Sequence, residues 1–154
     1  MTENKWNMDR ILPLFAAHLP VAALFGIEIV AAEAERSCVR LIGNAQITRP
    51  GGLIAGPVLF AMADVATYAL TIALRQEDAA VTSSLLMNFF RPALSPPLFA
   101  EAVPLRVGRS LLTYEVRIWS EVDGPERLIA HAIATWAGTT GAARSETSSK
   151  GDDR

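Results

Sequence analysis

The segment GPVLFAMADVATYALTIAL, residues 56–74, decides the fold, because it predicts one helix that is buried along most of its length. Pro57 suits the first turn of a helix, where a missing N–H loses no hydrogen bond, and neither glycine nor proline interrupts the segment after it. Such a helix is about 27 Å long, which is enough to cross a small domain. Asp64 is its only charged residue.

Asp64 shares one stripe of this helix with three other polar residues, Thr67, Tyr68 and Thr71. A carboxylate in so apolar a helix is costly to bury unless it is paired, hydrogen-bonded or next to water. Two interpretations follow: the stripe faces solvent or a subunit interface, or it lines a functional cleft. A membrane-spanning helix is disfavoured, because a central Asp costs about 2.5–3.5 kcal/mol in a bilayer and Pro57 lies inside the apolar span.

Composition limits the class of protein. The chain has 154 residues, of which 51% are hydrophobic and 19% charged, so a single domain with surplus apolar surface is expected to form a homodimer or tetramer. A net charge of -2 without a basic run argues against nucleic-acid partners. Cys38 is the only cysteine, which excludes an intrachain disulfide and a cysteine-rich zinc site. Residues 1–10 do not resemble a signal peptide, so a cytoplasmic location is expected.

Strand-like runs flank the helix. Two precede it and four follow it, at residues 26–34, 37–43, 81–90, 98–107, 111–120 and 127–137. A proline-interrupted helical segment leads into them, and residues 141–154 are expected to be a disordered tail. The order β-β-α-β-β-β-β predicts one α+β domain over residues 1–140, with a roughly six-stranded, mostly antiparallel sheet around one central helix.

This order and particular residues resemble the hotdog fold of acyl-CoA thioesterases, in the branch that includes phenylacetyl-CoA thioesterases. In that family the motif N-x-x-G-x-x-H-G-G leads into the central helix, whose acidic residue lies eight positions after the first Gly of HGG. Gly56 and Asp64 have this spacing, and Gly52 matches the earlier glycine. The runs TSSLLMNFFRPA, GRSLLTYEVRIWSE and LIAHAIATW are similar to the strands that follow.

The resemblance implies hydrolysis of a thioester to a free acid and a thiol. The Gly56 N–H, at the start of the helix, would polarise the thioester carbonyl. Asp64 would act as general base toward water, or as a nucleophile. Thr82 of a partner subunit matches a family Ser/Thr that helps to hold the water, so the site would be completed across a dimer interface. No cofactor is expected apart from the CoA of the substrate.

The chain departs from the family motif at three positions. Ala55 stands where the family has His, Pro57 replaces the second Gly, and Arg49 takes the position of the loop Asn. Arg49 would either act as a cation near the carbonyl or bind a carboxylated acyl group. The missing His and Asn keep a second function open, that of a non-catalytic acyl-CoA-binding hotdog protein.

Further candidate residues surround these groups. Phe60 and Tyr68 lie one helical turn on either side of Asp64 and are expected to line a partly dehydrated cleft with residues of the partner. Arginines near strand ends would contact the phosphates of CoA. The substrate-side candidates are Arg49, Gly52, Ala55, Phe60, Tyr68, Arg91, Arg106 and Arg109. The acyl group, and the choice between CoA and carrier-protein thioesters, stay open.

Overall fold

A computed structural model describes residues 5–138 and shows one long helix packed on one face of a six-stranded antiparallel sheet. The predicted α+β architecture is confirmed. The helices are α1 (Met8–His18), α2 (Pro20–Phe25) and α3 (Gly56–Arg75). The strands of the main sheet are β1 (Ile27–Ala32), β2 (Ser37–Leu41), β5 (Ala80–Phe89), β6 (Leu98–Val107), β7 (Leu111–Ser120) and β8 (Ala130–Gly138). Two short strands, β3 (Thr48–Arg49) and β4 (Leu53–Ile54), pair with each other.

The main sheet has the order β1-β2-β6-β7-β8-β5, so β1 and β5 form its edges. Every neighbouring pair is antiparallel. The two edges differ in length, because β5 has ten residues and β1 has six. Edge strands expose unpaired N–H and C=O groups, so a long edge is a natural place for another chain to pair.

The core lies between α3 and the sheet. Met62, Ala66 and Leu70 of α3 are fully buried against it. On β8, Ala130, Ala132 and Ala134 face the same way and are also fully buried. Small side chains on this strand let the helix approach the sheet closely. The helix is long and apolar enough to cross a membrane, but 67% of its apolar window is buried inside the fold, as in a core helix.

Half of the polar stripe of α3 is buried away from solvent. Thr67 and Thr71 are fully buried. The Thr67 hydroxyl donates to the carbonyl of Ala63 at 2.9 Å and accepts the indole N–H of Trp136 at 2.8 Å. The Thr71 hydroxyl lies 2.8 Å from that of Tyr114. Threonine is tolerated here because its hydroxyl can bond to a carbonyl of the preceding turn.

Several element bounds differ from those predicted. The expected loop before α3 contains the β3–β4 hairpin, and β8 begins at Ala130, three residues later than the predicted strand. The helical lead-in forms α1 and α2. Its start is held by a hydrogen bond of 2.7 Å from the backbone N–H of Trp6 to the side-chain oxygen of Gln76. The predicted tail at residues 141–154 lies outside the described residues.

Candidate active site

Asp64 lies half-buried on α3, on the side that faces β5. The hydroxyl of Thr82 donates a hydrogen bond of 2.7 Å to Asp64 Oδ1. Burial raises the pKa of the Asp64 carboxyl and the Thr82 hydrogen bond lowers it, with burial the larger effect, so the net shift is upward. A carboxylate with a raised pKa accepts a proton from water more readily, and such shifts are typical of catalytic groups.

A β-bulge lies in the strand that carries Thr82. The register between β5 and β8 shifts between Thr82 and Ser84, which leaves Ser83 as the extra residue. Bulges bend a strand and re-aim its side chains, and they are frequent beside active sites. The expectation that a partner's Thr82 would approach Asp64 is corrected here, because the hydroxyl at Asp64 belongs to the same chain.

Aromatic side chains border Asp64 along the helix. Tyr68, one turn after Asp64, stacks on Trp136 with ring centroids 5.1 Å apart and an interplanar angle of 1°. Phe60, one turn before it, lies 5.9 Å from the ring of Phe89. Both residues thus make aromatic contacts within the chain, and the cleft that they are expected to line beside Asp64 stays a prediction.

The other predicted catalytic group is the backbone N–H of Gly56, the first residue of α3. Ala55 occupies the N-cap position and supplies no side-chain hydrogen bond, and Pro57 has no N–H. No acceptor for the Gly56 N–H occurs within residues 5–138. A side-chain carbon added at Gly56 would meet the ring of Phe89 at 3.6 Å, which is ordinary contact. The N–H is thus a free donor at the positive end of a 20-residue helix.

A cavity of about 430 Å³ opens beside Gly56. Its walls come from the β3–β4 hairpin, the first turn of α3 and the segment that follows β5. The lining residues are Arg49, Leu53, Ile54, Gly56, Leu59, Phe89, Phe90, Arg91, Pro92 and Ala93. Sequence reasoning identified the two arginines and Gly56 but missed the aromatic pair at the end of β5, although the run TSSLLMNFFRPA was already singled out.

Two other predicted residues of the loop lie close by. Ala55 is the N-cap of α3, and its N–H donates to the carbonyl of Ile47 at 2.9 Å. Gly52 has φ 73°, a left-handed conformation that suits glycine, and it forms the turn between β3 and β4. It is not among the residues that line the cavity.

Arg91 is engaged by the protein itself. Its guanidinium donates to the carbonyl of Leu128 at 3.1 Å and to that of Arg127, and it lies 3.9 Å from the carboxylate of Asp123. Arg91 thereby ties the end of β5 to the connection between β7 and β8. Its predicted contact with a phosphate of CoA stays a prediction, and a phosphate would compete with these acceptors.

Arg106 and Arg109 lie at the other end of the molecule. Arg75, the last residue of α3, donates to the carbonyls of Gly108 and Arg109, so this turn lies at the C-terminal end of the helix. Gly56 begins that helix, nearly 30 Å away by the usual rise of about 1.5 Å per residue. Within one chain these arginines are therefore remote from the cavity, and their role with CoA also stays a prediction.

Within the part of the chain that the structure describes, no group of three or more His, Cys, Asp and Glu side chains is arranged to hold a metal ion. His131 lies on the sheet face opposite α3 and bonds Glu115 at 2.8 Å. The groups available for catalysis are the Asp64 carboxylate with the Thr82 hydroxyl and, about two turns away at the start of α3, the Gly56 N–H. Such a set can activate water and stabilise an oxyanion.

Known proteins resemble this chain in sequence. A family model described as the thioesterase superfamily matches residues 51–127, which contain Gly56, Asp64 and Thr82. A protein of Saccharolobus solfataricus named "Putative esterase SSO1253" is 32% identical over 112 residues, which cover 72% of each chain.

Solved structures show the same likeness. One from Silicibacter sp. TM1040, described as "a putative thioesterase", has a TM-score of 0.74 and 30% identity, covering 88% of this chain and 93% of that one. The PaaI protein of the E. coli phenylacetic acid degradation operon has a TM-score of 0.74 at 22% identity, covering 86% of this chain and 93% of its own. At that identity the second likeness is one of fold.

Proposed function

Because this chain belongs to the thioesterase superfamily, we propose that it hydrolyses an acyl-CoA or a related thioester to the free acid and the thiol. The predicted hotdog fold and the resemblance to thioesterases that include PaaI are confirmed. The observation that carries the proposal is the half-buried Asp64 carboxylate, with a raised pKa and a hydroxyl of Thr82 at 2.7 Å.

The proposed reaction uses water and two groups of the protein. The thioester carbonyl oxygen accepts the Gly56 N–H, which stabilises negative charge as it develops. Asp64 takes a proton from water while the water oxygen attacks the carbonyl carbon. The tetrahedral intermediate then expels the thiolate as the C–S bond breaks, and the proton on Asp64 passes to the sulfur. The reaction requires no cofactor.

Gly56 and Asp64 of one chain are too far apart to share a substrate. They are separated by eight residues of α3, or about 12 Å along its axis. A water between them must lie within about 3 Å of the carboxylate and about 3–3.5 Å of the carbonyl carbon. We therefore infer that each site combines Gly56 of one protomer with Asp64 and Thr82 of another.

The geometry of β5 supports this arrangement. Thr82, near one end of the strand, bonds Asp64, and Phe89, at the other end, lies against Gly56. Two β5 edges that pair antiparallel about a two-fold axis would bring the Phe89 end of one chain to the Thr82 end of the other. Exposed apolar side chains on and just beyond this strand favour such a contact. They are Val81, Leu86, Phe89 and Phe90.

The function is tested with a panel of acyl-CoA thioesters and an assay that detects the released thiol. Turnover of at least one thioester by the wild-type protein is expected. The alternative is a non-catalytic acyl-CoA-binding protein, which the substitutions Ala55 and Arg49 in the family motif motivate. Binding of acyl-CoA without turnover of any thioester would support that alternative and contradict hydrolysis.

Mixed dimers test the shared site. Asp64→Asn and Gly56→Pro dimers are each expected to be almost inactive. After subunit exchange in an equal mixture, half of the dimers would carry one lesion per chain and one intact site, so activity should recover to about one quarter of the wild-type rate. Each variant taken alone through the same exchange serves as the control. A mixture that stays as inactive as its components would place both groups in a site within one chain.

Thr82→Val is expected to shift the acid limb of the pH profile of kcat/KM to higher pH. The Thr82 hydrogen bond lowers the pKa of Asp64, so its removal leaves burial unopposed and the carboxylate protonates at a higher pH. Thr82→Ser keeps the hydroxyl and should keep the wild-type profile. An acid limb that is the same in Thr82→Val and wild type would show that Thr82 does not tune Asp64.

A further inference from the structure

The cavity beside Gly56 has an unbalanced charge. Its lining contains two arginines and no acidic residue. Arg91 is satisfied by backbone carbonyls and by Asp123. The Arg49 side chain, by contrast, has no hydrogen-bond or ion-pair partner within residues 5–138. One guanidinium at the edge of an otherwise mostly apolar cavity is therefore available to a ligand.

The backbone of Arg49 is held firmly at this edge. Arg49 pairs with Leu53 in the β3–β4 hairpin. The hairpin is anchored by a hydrogen bond of 2.8 Å from the Ile54 N–H to the carbonyl of Ala93, and the side chains of Ile47 and Ile54 are buried. The base of the Arg49 side chain is thus fixed, while the side chain itself is exposed and able to turn toward a ligand.

Such a cavity suits an acyl group that consists of a short hydrocarbon segment and a terminal carboxylate. Leu53, Leu59 and Phe90 offer contact to a short hydrocarbon segment. The guanidinium offers a planar pair of donors that matches a carboxylate, with which arginine forms paired, charge-assisted hydrogen bonds. A ligand with a terminal methyl group would fill the cavity but leave the cation unpaired.

We propose that Arg49 selects thioesters whose acyl group ends in a carboxylate, and that this carboxylate binds at the edge of the cavity beside Gly56. This proposal rests on the proposed function. Arg49 and Gly56 line the same cavity, so a group at Arg49 is close to the thioester carbonyl held by Gly56. The phosphates of CoA are separated from that carbonyl by the whole pantetheine arm, so a guanidinium beside Gly56 lies closer to the acyl group than to the phosphates.

The test compares glutaryl-CoA with pentanoyl-CoA, which have equal chain length and differ by a carboxylate in place of a methyl group. The wild-type protein is expected to prefer glutaryl-CoA in kcat/KM by at least about tenfold, the usual size of a hydrogen bond to a charged group. In Arg49→Gln the ratio should fall to near one, chiefly through a higher KM for glutaryl-CoA. Arg49→Lys should keep part of the preference, since it keeps the charge without the paired donors.

Two controls decide what Arg49 contacts. Arg36→Gln removes an arginine that is paired with Glu101 at 3.1 Å and does not line the cavity, and it should leave the ratio unchanged. The same comparison with N-acetylcysteamine thioesters, which lack the nucleotide, should give the same ratios. An Arg49 effect that disappears with these substrates would assign Arg49 to a CoA phosphate and overturn the proposal. Equal losses for both acyl groups would assign it to the carbonyl and also overturn it.

Binding measurements distinguish a failure of the Arg49 proposal from a failure of the proposed function. Calorimetric titration of Asp64→Asn with both CoA thioesters should show tighter binding of glutaryl-CoA, and the added substitution Arg49→Gln should remove the difference. If the wild-type protein turns over no thioester, the proposed function fails and the same titrations are made on wild type. Equal affinities for the two thioesters would overturn the role of Arg49, whether or not the protein is catalytic.

Discussion

Asp64→Asn is expected to lower kcat by about 10²- to 10⁴-fold, the usual contribution of a positioned general base. Asparagine has nearly the same shape and can still accept the hydrogen bond from Thr82, but it cannot take a proton from water. In the wild-type protein, kcat/KM should fall on the acid side with a single ionisation above 3.8, the ordinary pKa of Asp, because burial raises the pKa of Asp64.

The same substitution should not unfold the protein. A carboxyl whose pKa is raised in the folded state binds its proton more tightly there than in the unfolded chain. The bound proton therefore stabilises the fold. This stabilisation is fully present below pH 3.8 and is lost as the pH rises through the folded-state pKa, so the charged carboxylate weakens the fold at neutral pH. Asp64→Asn should therefore melt at or above the wild-type temperature at neutral pH, and the two should converge in acid.

Glu28→Gln provides a matched control, because Glu28 is an exposed carboxylate on β1, at the opposite edge of the sheet, where it pairs with Arg40 at 2.8 Å. It should change neither kcat nor the pH profile. A folded Asp64→Asn variant that binds acyl-CoA and turns it over at the wild-type rate would make Asp64 a structural residue, and the proposed mechanism would be wrong.

Gly56→Pro is expected to lower kcat by about 10²- to 10³-fold, the usual effect of removing one oxyanion donor. Proline has no N–H, so the thioester carbonyl would lose its hydrogen bond. Proline is favoured at the first position of a helix, and Ala55 already has the extended conformation that precedes proline, with φ -68° and ψ 140°. Because position 56 itself precedes Pro57, a side chain added there meets that ring, a steric cost that Gly56→Pro shares with Gly56→Ala.

Gly56→Ala separates the donor from the side chain. It keeps the N–H and adds one carbon, which meets the ring of Phe89 at 3.6 Å, an ordinary contact. Its kcat should stay within a few-fold of wild type, while that of Gly56→Pro falls. Equal losses in both folded variants would mean that this position needs glycine for space, and that the N–H is not the group that polarises the carbonyl.

Local pattern was sufficient to identify the central helix and the long strands of this fold. The helix at residues 56–74 was predicted because a long apolar run with Pro57 at its start is typical of a buried helix. The structure extends it by a single residue. The strand 111–120 has the bounds predicted from its strict alternation. The β3–β4 hairpin was missed, because two-residue strands leave no periodic signal and depend on Gly51 and Gly52 in left-handed conformations.

The sequence by itself determined the one carboxylate in the central helix and the glycine eight residues before it, because helical spacing and chemical type are local properties. Only the tertiary structure decided which groups surround them. It brought Thr82 to Asp64 through a β-bulge, buried Thr67 and Thr71, and engaged Arg91 with carbonyls, while the Arg49 side chain at the cavity has no partner among residues 5–138. Hydrogen-bond partners, burial and free charge depend on contacts between segments far apart in the chain, which no local pattern encodes.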